Sequence, residues 1–248
     1  KIQHYFGDGS KFGIKLRYSL EKDLMGTAGG VKKLESFFDE TFVVISGDAL
    51  TDIDLNQLIE AHRSKGAIAT IALKEVVDPS QLGVVITNAA GLIEAFQEKP
   101  SPEEALSRLA NTGIYVFEPE IFQYIPANTV YAFGKHLFPR LVAEAAALYG
   151  HQIDKYWCDI GSLNQYRLAH YDVMKGLVKI DIPGIWHPNA VYVGERTIIS
   201  PTAQIGSKVV IGKHCHIGDG VEILGETVSG DNCVIEDSSA IFGSIIWH

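Results

Sequence analysis

Cysteine is scarce in this chain: Cys158, Cys215 and Cys233 are the only three in 248 residues. They are too few and too scattered for the disulfide framework of a secreted domain, and point instead to a reducing, cytoplasmic setting. Positive charge is short as well, with 21 Lys and Arg against 30 Asp and Glu and a formal net charge of −9. Such a chain has little with which to neutralise a string of phosphates, so no nucleic-acid partner is expected. Small anions can still be held, by a few local cations or through a metal. No apolar run is long enough to span a bilayer, and no membrane association is expected. What is present is an ordinary soluble composition, 46% hydrophobic and 21% charged, enough for one large domain or two smaller ones. The chain opens on KIQHYFGDGSKFG and closes on AIFGSIIWH; both read as interior sequence, so a fragment cut at each end is expected.

Two textures follow one another. Over residues 1–178, strand-like runs (42–45, 68–73, 84–87, 92–96, 114–117) alternate with helix-like ones (30–38, 55–65, 103–109, 136–147, 163–177). That alternation predicts an α/β sheet covered by helices. TNAAGLIEAF reads as a hairpin turn, so the sheet is expected to be mixed. Residues 179–197, with Pro183, Pro188, Gly184 and Gly194, read as a linker.

From Ile198 onward the chain can be written in sixes: IISPTA QIGSKV VIGKHC HIGDGV EILGET VSGDNC VIEDSS AIFGSI. The second place is Ile throughout except Ser229, and the sixth is small or β-branched, from Ala203 to Ile245. A six-residue period marks a parallel β-helix over 198–248, with both places pointing inward. An open end at 248 is expected to continue into more rungs or a partner, making a homo-oligomer through the β-helix an expectation. Cys215 and Cys233, three hexads apart, should stack as buried reduced thiols. His214 and His216 should point outward, which argues against a metal pair.

FVVISGDALTD poses the chemical question. A buried strand ends at Ser46-Gly47-Asp48, and a second acid, Asp52, follows. Ser, Gly and Asp are ordinary turn residues. The tip of a strand in an open α/β sheet is also where ligands bind, and a carboxylate there can hold a metal. The residues by themselves leave both readings open.

Eight blocks in order, HYFGDGSKFG, MGTAGGVK, VISGDALTDIDL, LGVV, FQEKP, NTGIYVFEPE, LFPRL and YWCDIGSLNQY, resemble the nucleoside-diphosphate-sugar pyrophosphorylases. Among these the chain is most similar to bacterial mannose-1-phosphate guanylyltransferase-like proteins with a C-terminal hexapeptide-repeat domain. The resemblance implies a mixed-sheet, Rossmann-like nucleotidyltransferase domain followed by a left-handed parallel β-helix, both incomplete. It also implies roles. Asp48 and Asp159 would be catalytic and bind Mg²⁺, and Lys99 would clamp the sugar 1-phosphate. Glu98, Asn111 and Gly83 would belong to the sugar pocket. Gly26, Thr27, Ala28 and Gly29 would lie beside the nucleotide base, with the N–H groups of a following helix available to it. Lys99, preceding Pro100, is expected to be extended.

The implied reaction joins a nucleoside triphosphate and a sugar 1-phosphate, releasing pyrophosphate. GTP with mannose 1-phosphate leads, ahead of glucose 1-phosphate with UTP, dTTP or ATP. A non-catalytic regulatory relative, or a hexapeptide acyltransferase with an attached binding domain, are the rivals; retention of Asp48, Lys99 and Asp159 favours an enzyme. Two departures stand out. Ala132 and His136 replace the family's usual acids, and the family's Gly-rich phosphate loop is not found in these residues, so this segment alone is expected to be inactive.

Overall fold

A computed structural model describes residues 1–182 and 184–247; Pro183 of the expected linker lies outside the described residues. Two compact units are present, one made of residues 1–46 and 55–153, the other of 47–54 and 154–248.

The first unit contains α1 (Ile2–Phe6), α2 (Gly26–Lys32) and β1 (Phe42–Ile45), while β2 (Ala49–Thr51) belongs to the second. After it come α3 (Leu55–Lys65), β3 (Ala69–Glu75), β4 (Gly83–Thr87), β5 (Ile93–Glu98), β6 (Leu109–Phe117), α4 (Phe138–Ala143) and β7 (Leu148–Gln152). The six strands form one sheet in the order β5-β4-β6-β3-β7, with β1 also paired to β6. Only β3 and β7 run parallel; the other pairs are antiparallel, so the sheet is mixed as the hairpin signal implied. Asn88 makes that hairpin, its side chain accepting the Ala90 and Leu92 N–H groups. Ile71, Leu73, Phe117, Phe138, Leu141 and Leu148 are fully buried in the core between sheet and helices.

Three helix readings differ from the structure. Residues 103–109 form no helix: Ser101 supports a single turn, then the Gln97 side chain takes the Glu104 carbonyl and the Leu106 N–H, and Leu109 enters β6. The helix read at 136–147 ends at Ala143, because Ala145 turns left-handed (φ 51°) and the chain joins β7, which its Ala-rich, helix-favouring lead-in concealed. The one read at 30–38 starts earlier, at Gly26, and yields to a 3₁₀ turn at Glu35–Phe37.

The second unit begins with the ribbon of β2 and β8 (Trp157–Asp159), followed by α5 (Leu163–Met174), capped by the Ser162 hydroxyl. Then β9 (Ile185–His187) pairs antiparallel with β10 (Val191–Val193), both within the 179–197 stretch. The parallel coils already include β10, which pairs in parallel with β13, so part of the stretch read as a linker forms the first rung; they run on through β11 (Ile198–Ile199), β12 (Gln204–Ile205), β13 (Val209–Ile211), β14 (His216–Ile217), β15 (Glu222–Leu224), β16 (Thr227–Ser229), β17 (Val234–Ile235), β18 (Ala240–Phe242) and β19 (Ile245–Ile246). Ile211, Ile217 and Ile223 are buried, as the hexads require, and Cys215 and Cys233 are buried free thiols at equivalent places in successive coils. His214 and His216 are exposed.

The hexad register breaks once. Ile223 pairs with Ile241 and Leu224 with Phe242, eighteen residues on, but Val228 pairs with Ile245, seventeen on. The last corner is one residue shorter, so Ile246 rather than Ile245 packs against the core, next to Ser229 in register.

Candidate active site

Asp48 occupies the exposed turn that leads into β2, and Asp159 is the half-buried last residue of β8. Ala49 pairs with Asp159, and the Ile160 N–H donates to the Asp48 carbonyl at 3.0 Å. Two residues from distant parts of the sequence are therefore diagonal neighbours on one ribbon. Gly161 is also close: a Cβ there would stand 3.3 Å from Asp159 Oδ2, so the absent side chain keeps that flank of the carboxylate clear. Among the described residues no group of three or more His, Cys, Asp or Glu could cage a metal. Two carboxylates nonetheless suit Mg²⁺, which usually takes one or two from the protein and fills its shell with water and phosphate oxygens.

The other end of the ribbon is tied down. The Tyr156 N–H donates to Asp52 Oδ1 at 2.9 Å and the Lys179 N–H to Oδ2 at 3.0 Å, while Thr51 Oγ1 donates to the Tyr156 carbonyl at 2.7 Å. The Lys179 bond, helped by that of Tyr156 and opposed by burial, holds the Asp52 carboxyl below its usual range. The Tyr156 hydroxyl in turn donates to Asp172 Oδ2 of α5 at 2.7 Å.

In the first unit, β4 and β5 place Gly83 opposite Glu98, and a Cβ on Gly83 would meet Glu98 Oε2 at 3.1 Å. Lys99 follows, its N–H bonded to the Leu82 carbonyl at 3.0 Å. Its φ is 45°, not the extended value expected before proline; the Leu82 bond and the buried Pro100 hold it in a left-handed conformation. Strain of this kind persists only where the surroundings over-determine it, and it concentrates at functional positions.

The pairing of Val84 with Ala110 joins this hairpin to β6, which carries Asn111. Between Asn111 and Tyr115 the pairing with β3 skips, Thr112, Gly113 and Ile114 of β6 facing Ala72 of β3, and Gly113 (φ 76°) lies in the bulge. Asn111 Oδ1 accepts the Gly113 N–H at 3.1 Å. Burial pushes the Tyr115 phenol up to about 12, with Asn111 lowering it and the Glu98 charge raising it. The structure thus brings Gly83, Glu98, Asn111 and Tyr115 to one region of the sheet, next to Lys99. Tyr115 went unread in the sequence; its place four residues after Asn111 in the same block was the available signal.

Gly26, Thr27, Ala28 and Gly29 open α2, but two of the N–H groups expected to be free are already used. Those of Ala28 and Gly29 donate to the Tyr131 carbonyl at 3.0 and 2.9 Å, and Thr27 Oγ1 accepts the Phe133 N–H. Small residues are needed here for close packing: a Cβ on Gly26 would stand 2.7 Å from the Tyr131 oxygen, and one on Gly29 2.8 Å from that of Thr129. The His136 departure has a local reading. Its Nδ1 accepts the Ala132 N–H at 2.9 Å, the service a carboxylate at that position would perform, and its ring stacks on Tyr131.

The nucleotidyl transferase profile matches residues 1–176, and a bacterial transferase hexapeptide profile of six repeats matches residues 190–225. The chain belongs to the nucleotidyl transferase family. It is 43% identical, over 89% of its length, to a UTP–glucose-1-phosphate uridylyltransferase of Synechocystis, and 32% identical, over 87%, to a mannose-1-phosphate guanylyltransferase of Mycobacterium tuberculosis. It spans 61% and 60% of the length of these two relatives. Among solved structures, a putative glucose-1-phosphate thymidylyltransferase from Bacillus anthracis superposes with a TM-score of 0.61 at 24% identity, covering 73% of this chain and 72% of that one, which establishes likeness of fold.

Proposed function

We propose that the protein is a sugar-1-phosphate nucleotidyltransferase, forming a nucleoside-diphosphate sugar and pyrophosphate from a nucleoside triphosphate and a hexose 1-phosphate. The adjacency of Asp48 and Asp159 across the β2–β8 ribbon carries this reading, because only the fold unites them. A sugar phosphate oxygen attacks the α-phosphorus in line; the new P–O bond forms as the bond to the β-phosphate oxygen breaks, and pyrophosphate departs opposite. The nucleophile is already ionised at neutral pH, so no general base is required. The work left to the protein is alignment and charge neutralisation. Asp48 and Asp159 are the residues that would hold Mg²⁺, which when bound neutralises and orients phosphate oxygens. Lys99 holds the attacking phosphate, while Glu98, Asn111 and the backbone at Gly83 receive sugar hydroxyls. Gly26 to Gly29 face the base with a packed, flat backbone surface, the Ala28 and Gly29 N–H groups being already bonded to Tyr131.

For the substrate pair, the 43% identity to a uridylyltransferase favours UTP with glucose 1-phosphate. GTP with mannose 1-phosphate, the pair implied by the sequence blocks, is the second reading, supported by relatives described as mannose-1-phosphate guanylyltransferases at 32% identity. Pyrophosphate release by the intact protein, measured over four nucleoside triphosphates and both sugar phosphates, separates them. No release with any pair would overturn the enzymatic reading in favour of a nucleotide-sugar sensor.

A further inference from the structure

Asp52 is the acid that the proposed reaction leaves unused. It is half-buried, and both carboxylate oxygens are engaged: Oδ1 by the Tyr156 N–H ahead of β8, Oδ2 by the Lys179 N–H beyond α5. Its neighbour Thr51 donates to the Tyr156 carbonyl and accepts the Ile53 N–H at 3.2 Å. Thr51, the last residue of β2, and Asp52, just beyond it, thus grip both sides of the Tyr156 residue, C=O and N–H. Tyr156 immediately precedes β8, so this grip decides which residues of β2 and β8 face one another.

The ribbon itself is short. Each strand is three residues long, and the sheet has only two strands. A two-stranded pair of this length is marginal by itself. A slip of one residue would turn every side chain of β8 to the other face, Asp159 included. From the Thr51–Trp157 pair the register runs through Leu50–Cys158 to Ala49–Asp159 and ends at the Ile160–Asp48 bond. Asp52 thus stands at one end of a short ruler whose other end carries the two carboxylates.

We infer that Asp52 is a positioning residue: by bonding the Tyr156 and Lys179 N–H groups it fixes the β2–β8 register and so sets the placement of Asp159 relative to Asp48. The inference rests on the nucleotidyl-transfer reading for its consequence, though not for its geometry. Asp52 touches no reacting atom. Its loss acts through the pair, and so on the use of the divalent cation rather than on sugar recognition. Asn at this position retains one acceptor oxygen but turns an NH₂ group toward the second N–H, so it should restore part of the effect.

The test uses the intact protein with Asp52→Ala and Asp52→Asn. In Asp52→Ala the Mg²⁺ concentration giving half the maximal rate should rise about tenfold, the lower end for loss of a residue supporting a metal ligand. The KM for sugar 1-phosphate at saturating Mg²⁺ should stay within about twofold, since the β4–β6 cluster is untouched. Asp52→Asn should fall between. Independently of turnover, amide hydrogen exchange should show the Ile160 N–H losing protection in Asp52→Ala while the Ile217 and Ile223 amides keep theirs. Unchanged exchange at Ile160, or exchange that quickens equally in ribbon and β-helix, would overturn the inference. So would an unchanged Mg²⁺ requirement accompanied only by a lower Tm. A wild-type protein that releases no pyrophosphate would defeat the proposed reaction instead, and the exchange result would still decide the role of Asp52.

Discussion

Gly113 meets Ser46 so closely that a Cβ on the glycine would stand 2.6 Å from the serine Oγ, while the Ser46 N–H donates to the Gly113 carbonyl at 2.9 Å. The end of β1, from which the chain runs on to Asp48, therefore rests on the bulge of β6 that follows Asn111. Gly113→Ala would face this contact and a left-handed φ of 76° together. The conformation alone costs an L-residue roughly 1–2 kcal/mol. The Tm should drop by about 4 °C or more, at roughly 2–4 °C per kcal/mol for a chain of this size. A thermal melt of the variant at or above the wild-type midpoint would show that the contact relaxes freely.

Asp48→Asn should remove most turnover in the intact protein and leave the fold intact. The residue is exposed on a turn, and the interaction that anchors it to the ribbon is its backbone carbonyl, which the substitution keeps. A neutral amide binds Mg²⁺ poorly. Pyrophosphate release at saturating substrates, with far-UV circular dichroism as the control, checks both halves.

Lys99→Ala should weaken the hold on the attacking phosphate. Loss of a charge-assisted hydrogen bond costs roughly 1.5–3 kcal/mol, or about ten- to a hundredfold in kcat/KM for the sugar phosphate. Nucleotide affinity measured without sugar should hardly move; equal losses for both ligands would assign Lys99 elsewhere.

His62 predicts an acid-side loss of stability. Its ring is buried, with Nδ1 2.9 Å from Thr70 Oγ1 and Nε2 3.0 Å from Glu118 Oε1. Burial lowers its pKa, and the Glu118 bond only partly offsets this. Because the folded pKa lies below the unfolded one, the unfolded chain binds the proton first as pH falls. The stabilisation is complete above about pH 6.5, the unfolded value, and is lost as pH drops toward the folded pKa. Denaturation midpoints should fall below pH 6.5 in the wild type and flatten there in His62→Gln; parallel pH profiles would refute this.

Ser229 lies at an inward place of the β-helix where other rungs carry Ile, in register with Ile211 and Ile246. Its buried hydroxyl has no hydrogen-bond partner. Ser229→Ala removes an unsatisfied polar group of the kind that costs about 1–3 kcal/mol, so the midpoint in urea should rise. A fall would mean that the lost volume outweighs the relieved hydroxyl.

Much of this molecule is determined locally. Periodicity located β1 and α3 to the residue, the Asn88 turn announced the β4–β5 hairpin, and the Ile repeat set the β-helix core, because each depends on neighbours within one strand, turn or coil. The ordered blocks likewise named Asp48, Asp159, Lys99, Glu98 and Asn111 as residues worth following. Other features were decided by contacts between distant segments. An Ala-rich stretch ends its helix and leads into β7 because β3 offers a pairing edge, and residues 103–109 fail to coil because Gln97 captures their backbone. The N–H groups of Ala28 and Gly29 go to Tyr131, and the positive φ of Lys99 overrides the preference of a residue before proline. A corner shortened by one residue hands the inward place from Ile245 to Ile246. Local pattern encodes which face of an element is apolar; which hydrogen-bond partner a given group finds depends on what the completed fold brings within 3 Å of it, and that is where Asp48, Asp159 and Asp52 acquire their relation.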